Sequence, residues 1–170
     1  MKLQDFASVA EIVGGVAVIV SLIYVGLQVN DNTAAIRSAA ASDATEAMQS
    51  WYLEMGSNRQ ASDIWFNAMT SREPLPTLDE FQFMLSMHAV LLGMQNSYLL
   101  SKEGTLDAEF REAVTTAIVA VKDLPGMSRF WRQRRGYFHT GFAEYVDSLL
   151  ARDPVETLDM YKLSDVAPAH

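Results

Sequence analysis

An all-α chain is predicted, with an N-terminal transmembrane helix followed by a compact multi-helix domain, and three observations predict it. Ile12 to Val29 runs 18 residues without a charge, and at about 1.5 Å per residue a helix of that length spans roughly 27 Å, close to the thickness of a bilayer core. Downstream, apolar residues return at helical spacing between recognisable helix start and stop residues. No segment alternates apolar and polar residues at period two, and the chain holds no internal repeat or low-complexity block. The 170 residues therefore divide into a span with its short flank at 1–30, a helical domain at 31–152 and an acidic tail at 153–170.

Extending the first helix back to Ala7 adds a single charge, Glu11, at a depth where a carboxylate reaches headgroups or water, while Tyr24 and Gln28 suit the opposite interface. A buried helix of a soluble domain and a signal peptide are the competing readings. The run exceeds a usual signal h-region and Lys2 is offset by Asp5, so cleavage is not expected. Ala7, Ala10, Gly14, Ala17 and Ser21 recur at spacings of three and four, which puts them on one helix face, and the same face continues to Tyr24 and Gln28. Small residues let membrane helices approach closely, so this face, with Gln28 as a hydrogen-bonding end, is expected to pack against another helix. No ring of charges lies mid-span to suggest a pore.

After polar Asn30 to Thr33, the segment Ala34 to Met55 is rich in Ala, Met and Glu and free of Pro and Gly, which predicts helix, either new or continuous with the first. Gly56, Ser57 and Asn58 supply a stop, and Ser62 or Asp63 is expected to cap a short helix carrying Ile64, Trp65, Phe66 and Met69. Arg72 to Pro76 reads as a loop. Thr77 with Glu80 matches a capping box that opens an apolar helix from Leu78 to about Lys102, ended by Gly104. Thr105 or Asp107 starts the next helix, to about Asp123; Pro125 opens another through Tyr137; and Thr140 starts the last, through Ala151.

The span ending SLIYVGLQV, followed by Asn32, Thr33, Ile36 and Arg37, then Trp65, Asn96 with Tyr98 before Gly104, and the Phe130–Trp131 pair, together resemble a family of short bacterial membrane proteins. The likeness covers roughly residues 5 to 150. It implies an N-terminal span in the bacterial inner membrane and a helical domain on the cytoplasmic side, and it implies no reaction, cofactor or catalytic residue. Family-like sequences carry a basic residue just after the Gln of the span, whereas Asn30 and Asp31 follow Val29 here.

Composition narrows the chemistry. With 21 acidic and 13 basic residues the net charge is −8, which opposes non-specific nucleic-acid binding, and no nucleic-acid module is present. The absence of cysteine removes disulfides, thiolate metal sites and thiol nucleophiles. No nucleophile elbow, phosphate loop, dinucleotide fingerprint or zinc-protease helix occurs, so no catalytic residue is assigned. His88, with Met84 one turn before it and Met87 beside it, offers nitrogen and thioether ligands, but a lone histidine on a Met-rich helix reads first as packing, and no metal or other cofactor is expected. Asp107, Glu109 and Glu112 lack the Glu-x-x-His partners of a di-iron bundle and suit a helix N-terminus instead.

Ser128 to Tyr137, SRFWRQRRGY, gathers Arg129, Trp131, Arg132, Arg134 and Arg135. Beside a bilayer such a mixture suits anionic headgroups or an acidic partner. The same residues also fit a helix whose Trp131 fills the core while its arginines pair with acidic neighbours, Glu156 and Asp159 of the tail among them. The sequence thus predicts a non-enzymatic single-pass membrane protein that self-associates. The alternatives are an accessory subunit of a larger integral membrane complex and a membrane-tethered metal or haem enzyme using His88.

Overall fold

The computed structural model describes residues 3–73 and 75–153, with the side chains of residues 3–10 outside the description. The tail expected at 153–170 lies outside the described residues beyond Asp153, as do Glu156 and Asp159. Among the described residues there are six α-helices, one 3-10 turn and no strand: α1 Leu3–Ser57, α2 Arg59–Thr70, α3 Thr77–Lys102, α4 Ala108–Val121, α5 Pro125–Arg134 and α6 Thr140–Leu150, with the 3-10 turn at Arg135–Tyr137. The chain forms two compact units, 1–39 and 40–170. Asn30 to Thr33 does not interrupt α1, because it contains neither Pro nor Gly and Thr33 returns its hydroxyl to the Val29 carbonyl at 2.8 Å.

The second unit holds the hydrophobic core. Phe83 and Leu91 of α3, Met69 of α2, Met127 and Phe130 of α5, Ile118 of α4, and Phe142, Val146 and Leu149 of α6 are almost wholly enclosed. Each such side chain contributes roughly 1.5–3 kcal/mol by leaving water. From α1, Ala40 and Ala44 are buried, and Trp51 meets Trp65 edge-on at 4.8 Å, which in turn meets Phe83 at 5.4 Å. Gly126 lets α5 lie against α2, since a Cβ there would stand 2.6 Å from both the Ala68 oxygen and the Met69 Cα. Thr115 and Tyr145 share a 2.9 Å hydroxyl contact between α4 and α6.

Helix ends follow local chemistry with two corrections. Asn58, not Ser62 or Asp63, caps α2, its side chain accepting from the Ala61 amide at 3.1 Å, while the Ser62 hydroxyl donates to the Met55 carbonyl. The capping box at Thr77 and Glu80 does not form: Pro76 occupies the cap position without a side-chain bond, and the Glu80 carboxylate is taken by Arg129. Asp107 caps α4, accepting from the Glu109 amide at 2.7 Å, and Pro125 stands in the first turn of α5. Gly104 adopts φ +75°, the left-handed conformation that lets Thr105 and Leu106 amides return to the Leu100 carbonyl and close α3.

Candidate membrane span and basic cluster

Within α1, every residue from Glu11 to Ala39 is exposed, including Ile12, Val16, Ile19, Leu22 and Leu27. This single long apolar helix near the N-terminus is a candidate membrane span by length and composition. Its backbone is internally hydrogen-bonded, and the Ser21 hydroxyl, the most polar group of the small-residue face before Tyr24, donates to the Ala17 carbonyl at 2.8 Å. A hydroxyl satisfied within its own helix can enter hydrocarbon without leaving its donor bare. Gly14, Ala17, Ser21 and Gln28 all lie exposed on the helix, and the space a Cβ would take at Gly14 is empty to 4 Å. Ala7 and Ala10 belong to the helix backbone, but their side chains lie outside the described residues.

The structure splits the arginine cluster. Arg129 turns inward: its guanidinium bonds Glu80 at 3.1 Å and the Ser71 and Ala68 carbonyls at 3.0 and 2.8 Å, and it lies 5.9 Å from the Phe83 ring centre. It ties α5 to the end of α2 and the start of α3. Trp131 is buried against Phe138 and donates from its indole nitrogen to Asp147 at 2.8 Å. Arg135 closes on the same Asp147 at 2.6 Å. The hydrogen bond from Arg135, assisted by that from Trp131 and opposed by burial, holds the Asp147 carboxyl below its ordinary range, and the same partnership raises Arg135. Arg129, Trp131 and Arg135 thus serve the fold, which leaves Arg132 exposed and Arg134 half-buried at 5.1 Å from the Tyr137 ring as the outward members of the cluster. Their partners come from α2, α3 and α6, at separations that no local motif announces.

His88 is half-buried, 4.8 Å from the Phe138 ring centre and edge-on to Tyr137 at 6.2 Å. Its Nδ1 is buried without a hydrogen bond among the described residues, and burial together with Arg134 lowers its pKa from 6.5. Met84 and Met87 belong to the apolar core. Among the described residues no group of three or more His, Asp or Glu is placed to hold a metal ion. Asp107 is the α4 cap, and Glu112 pairs with Arg152 at 3.1 Å.

Open grooves among the described residues of the second unit include two. One, of about 690 Å³, lies between Thr45, Gln49, Tyr52 and Leu53 of α1 and Phe110, Val114 and Ala117 of α4, and it is mainly apolar. The other, of about 750 Å³, lies between α2 and the start of α3 beside Arg59, Asp63 and Asp79. Comparison with known protein families, curated proteins and solved structures finds no match to this chain.

Proposed function

We propose that this chain is a non-enzymatic, single-pass protein of the bacterial inner membrane that self-associates through the small-residue face of α1 and through its helical domain, with that domain on the cytoplasmic side. One observation carries the reading: the uncharged run Ile12 to Val29 is helical and entirely exposed. Apolar surface on that scale is unfavourable in water, at roughly 25 cal/mol per Å², so it demands a lipid or protein cover. The face bearing Gly14, Ala17 and Ser21 is shaped for close approach of a second helix. The resemblance to short bacterial membrane proteins supports the same location.

The test is retention in the membrane pellet after alkaline extraction, followed by gentle solubilisation and the mass and composition of the particle by light scattering and mass spectrometry. Retention and a homogeneous multiple of 18.9 kDa are expected. Release into the soluble fraction overturns the span. A particle containing one copy bound within a larger complex replaces self-association with an accessory role, and a metal or haem absorption spectrum overturns the non-enzymatic assignment.

A further inference from the structure

His88 and His139 meet at one corner of the second unit, where the 3-10 turn Arg135–Tyr137 joins α5 to α6. Phe138 is the buried side chain between that turn and α6; His88 of α3 lies 4.8 Å from it between ring centres, and His139 follows it in sequence. The Phe138 amide donates to the Arg135 carbonyl at 3.3 Å, and the His139 amide donates to the side-chain oxygen of Gln95 on α3 at 2.7 Å. Through Gln95 and His88, the corner is fastened to α3.

Both imidazoles hold this corner only while neutral. His139 is the N-cap of α6, its Nδ1 accepting from the Gly141 amide at 3.1 Å. An imidazole nitrogen accepts only without a proton, since in the imidazolium both nitrogens donate. Protonation therefore sets donor against donor, and it adds positive charge at the positive end of the α6 dipole. His88 reaches the same requirement by another route. Its Nδ1 is enclosed without a hydrogen bond among the described residues, its ring lies 6.4 Å from Phe130 and 6.2 Å from Tyr137, and the charge facing it is the Arg134 guanidinium, itself 5.1 Å from the Tyr137 ring centre. A proton there finds no acceptor and meets a like charge, and burial and Arg134 both lower the His88 pKa.

The surrounding groups do not reverse this. α3 has no Asp, Glu, Lys or Arg from Phe81 to Ser101, and near His139 it brings Gln95 and the phenol of Tyr98. On α6, Asp147 is taken by Arg135 and Trp131, and Glu144 is exposed. Among the described residues no carboxylate pairs with either imidazole.

We propose that the corner Arg134–Gly141 is an acid-released joint: with His88 and His139 neutral it is fastened to α3 and caps α6, and with both protonated it comes away from α3 while the rest of the second unit stays folded. A histidine that is neutral in the closed corner and free to protonate in the open one holds the joint fully above pH 6.5 and less as pH falls. Each favours opening by at most about tenfold over the first pH unit below that value. The joint stands apart from the membrane reading.

Hydrogen exchange of the full-length protein in lipid nanodiscs, read by mass spectrometry at about pH 7.5 and about pH 5.5 and corrected for intrinsic exchange at each pH, is the test. Protection of peptides covering Arg134–Gly141 is expected to fall at least tenfold, with that of Phe83–Leu91 kept. H88F/H139N should abolish the fall, because phenylalanine keeps a ring against Phe138 and asparagine is a favoured cap whose oxygen accepts at either pH. Each single variant should keep part of it. An unmodified chain that shows no fall, or one spread evenly over the second unit, overturns the joint without reliance on any variant. Persistence of the fall in H88F/H139N overturns it as well, and loss of the whole fall in one single variant overturns the pairing of the two histidines.

Discussion

Arg129 is a single side chain that joins three elements, and its neighbours set the cost of losing it. Its guanidinium is 16% exposed and Glu80 25%, so the pair is shielded enough for removal of one partner to be felt. Arg129→Met keeps the stem against Phe83 but strands Glu80 and the Ala68 and Ser71 carbonyls. A loss of about 2–3 kcal/mol is expected in denaturant unfolding followed by tryptophan emission, since Trp51, Trp65 and Trp131 all lie in the second unit. His88 gives a second expectation at this scale. Its pKa is lowered in the fold, so the unfolded chain binds the proton more readily; the associated stability is complete above pH 6.5 and is lost as pH falls from 6.5 through the folded value. His88→Phe should flatten unfolding temperature over that window, while the loss below about pH 3.8, where Asp147 acts, persists. An unaltered pH profile just below 6.5 would remove His88 from the account.

Helices show how far local sequence reaches. Gly126→Ala forces a methyl group to within 2.6 Å of α2 backbone, which cannot rotate away as a side chain would, and should cost about 2–3 kcal/mol with a matching fall in thermal stability. In α1, Gly14→Leu meets nothing in a single copy, so helix content should hold while association weakens at least tenfold; unchanged particle size in both detergent and nanodiscs would count against that face. The starts at Asp107 and Pro125 were legible because each acts on amides within its own first turn. Asn58 was also visible, as an Asn just before a helix, but its place beside Gly56 and Ser57 read as a stop. The Thr77 box failed for a different reason: Glu80 is drawn away by an arginine 49 residues later, and competition of that kind leaves no mark on the local pattern. The cluster SRFWRQRR was recognisable as a group, yet which arginines turn inward depends on acceptors carried by α2, α3 and α6.

For the molecule as a whole, the two units answer to different environments. The second unit holds the hydrophobic core, whereas no residue from Ile12 to Val29 is buried. A charge near the middle of that run discriminates the covers available to it: Val20→Asp is expected to oppose insertion by about 3 kcal/mol and to move the protein toward the alkaline-soluble fraction, with the tryptophan-reported unfolding of the second unit unaltered. Undiminished membrane retention would instead place a protein surface around α1.

The last helix of the second unit adds a consequence in time. Phe142, Val146 and Leu149 sit at the centre of the core, so that core cannot close until the end of α6 has been synthesised. About 120 residues separate Val29 from Leu149. At roughly 5–20 residues per second, the apolar run precedes a completed domain by about 6–24 s on the ribosome. The run is exposed in the finished structure as well, so it needs a cover from the moment it is made. Whatever receives it, a bilayer, an insertion machinery or a holding chaperone, meets an apolar helix that is complete well before the core of the second unit is.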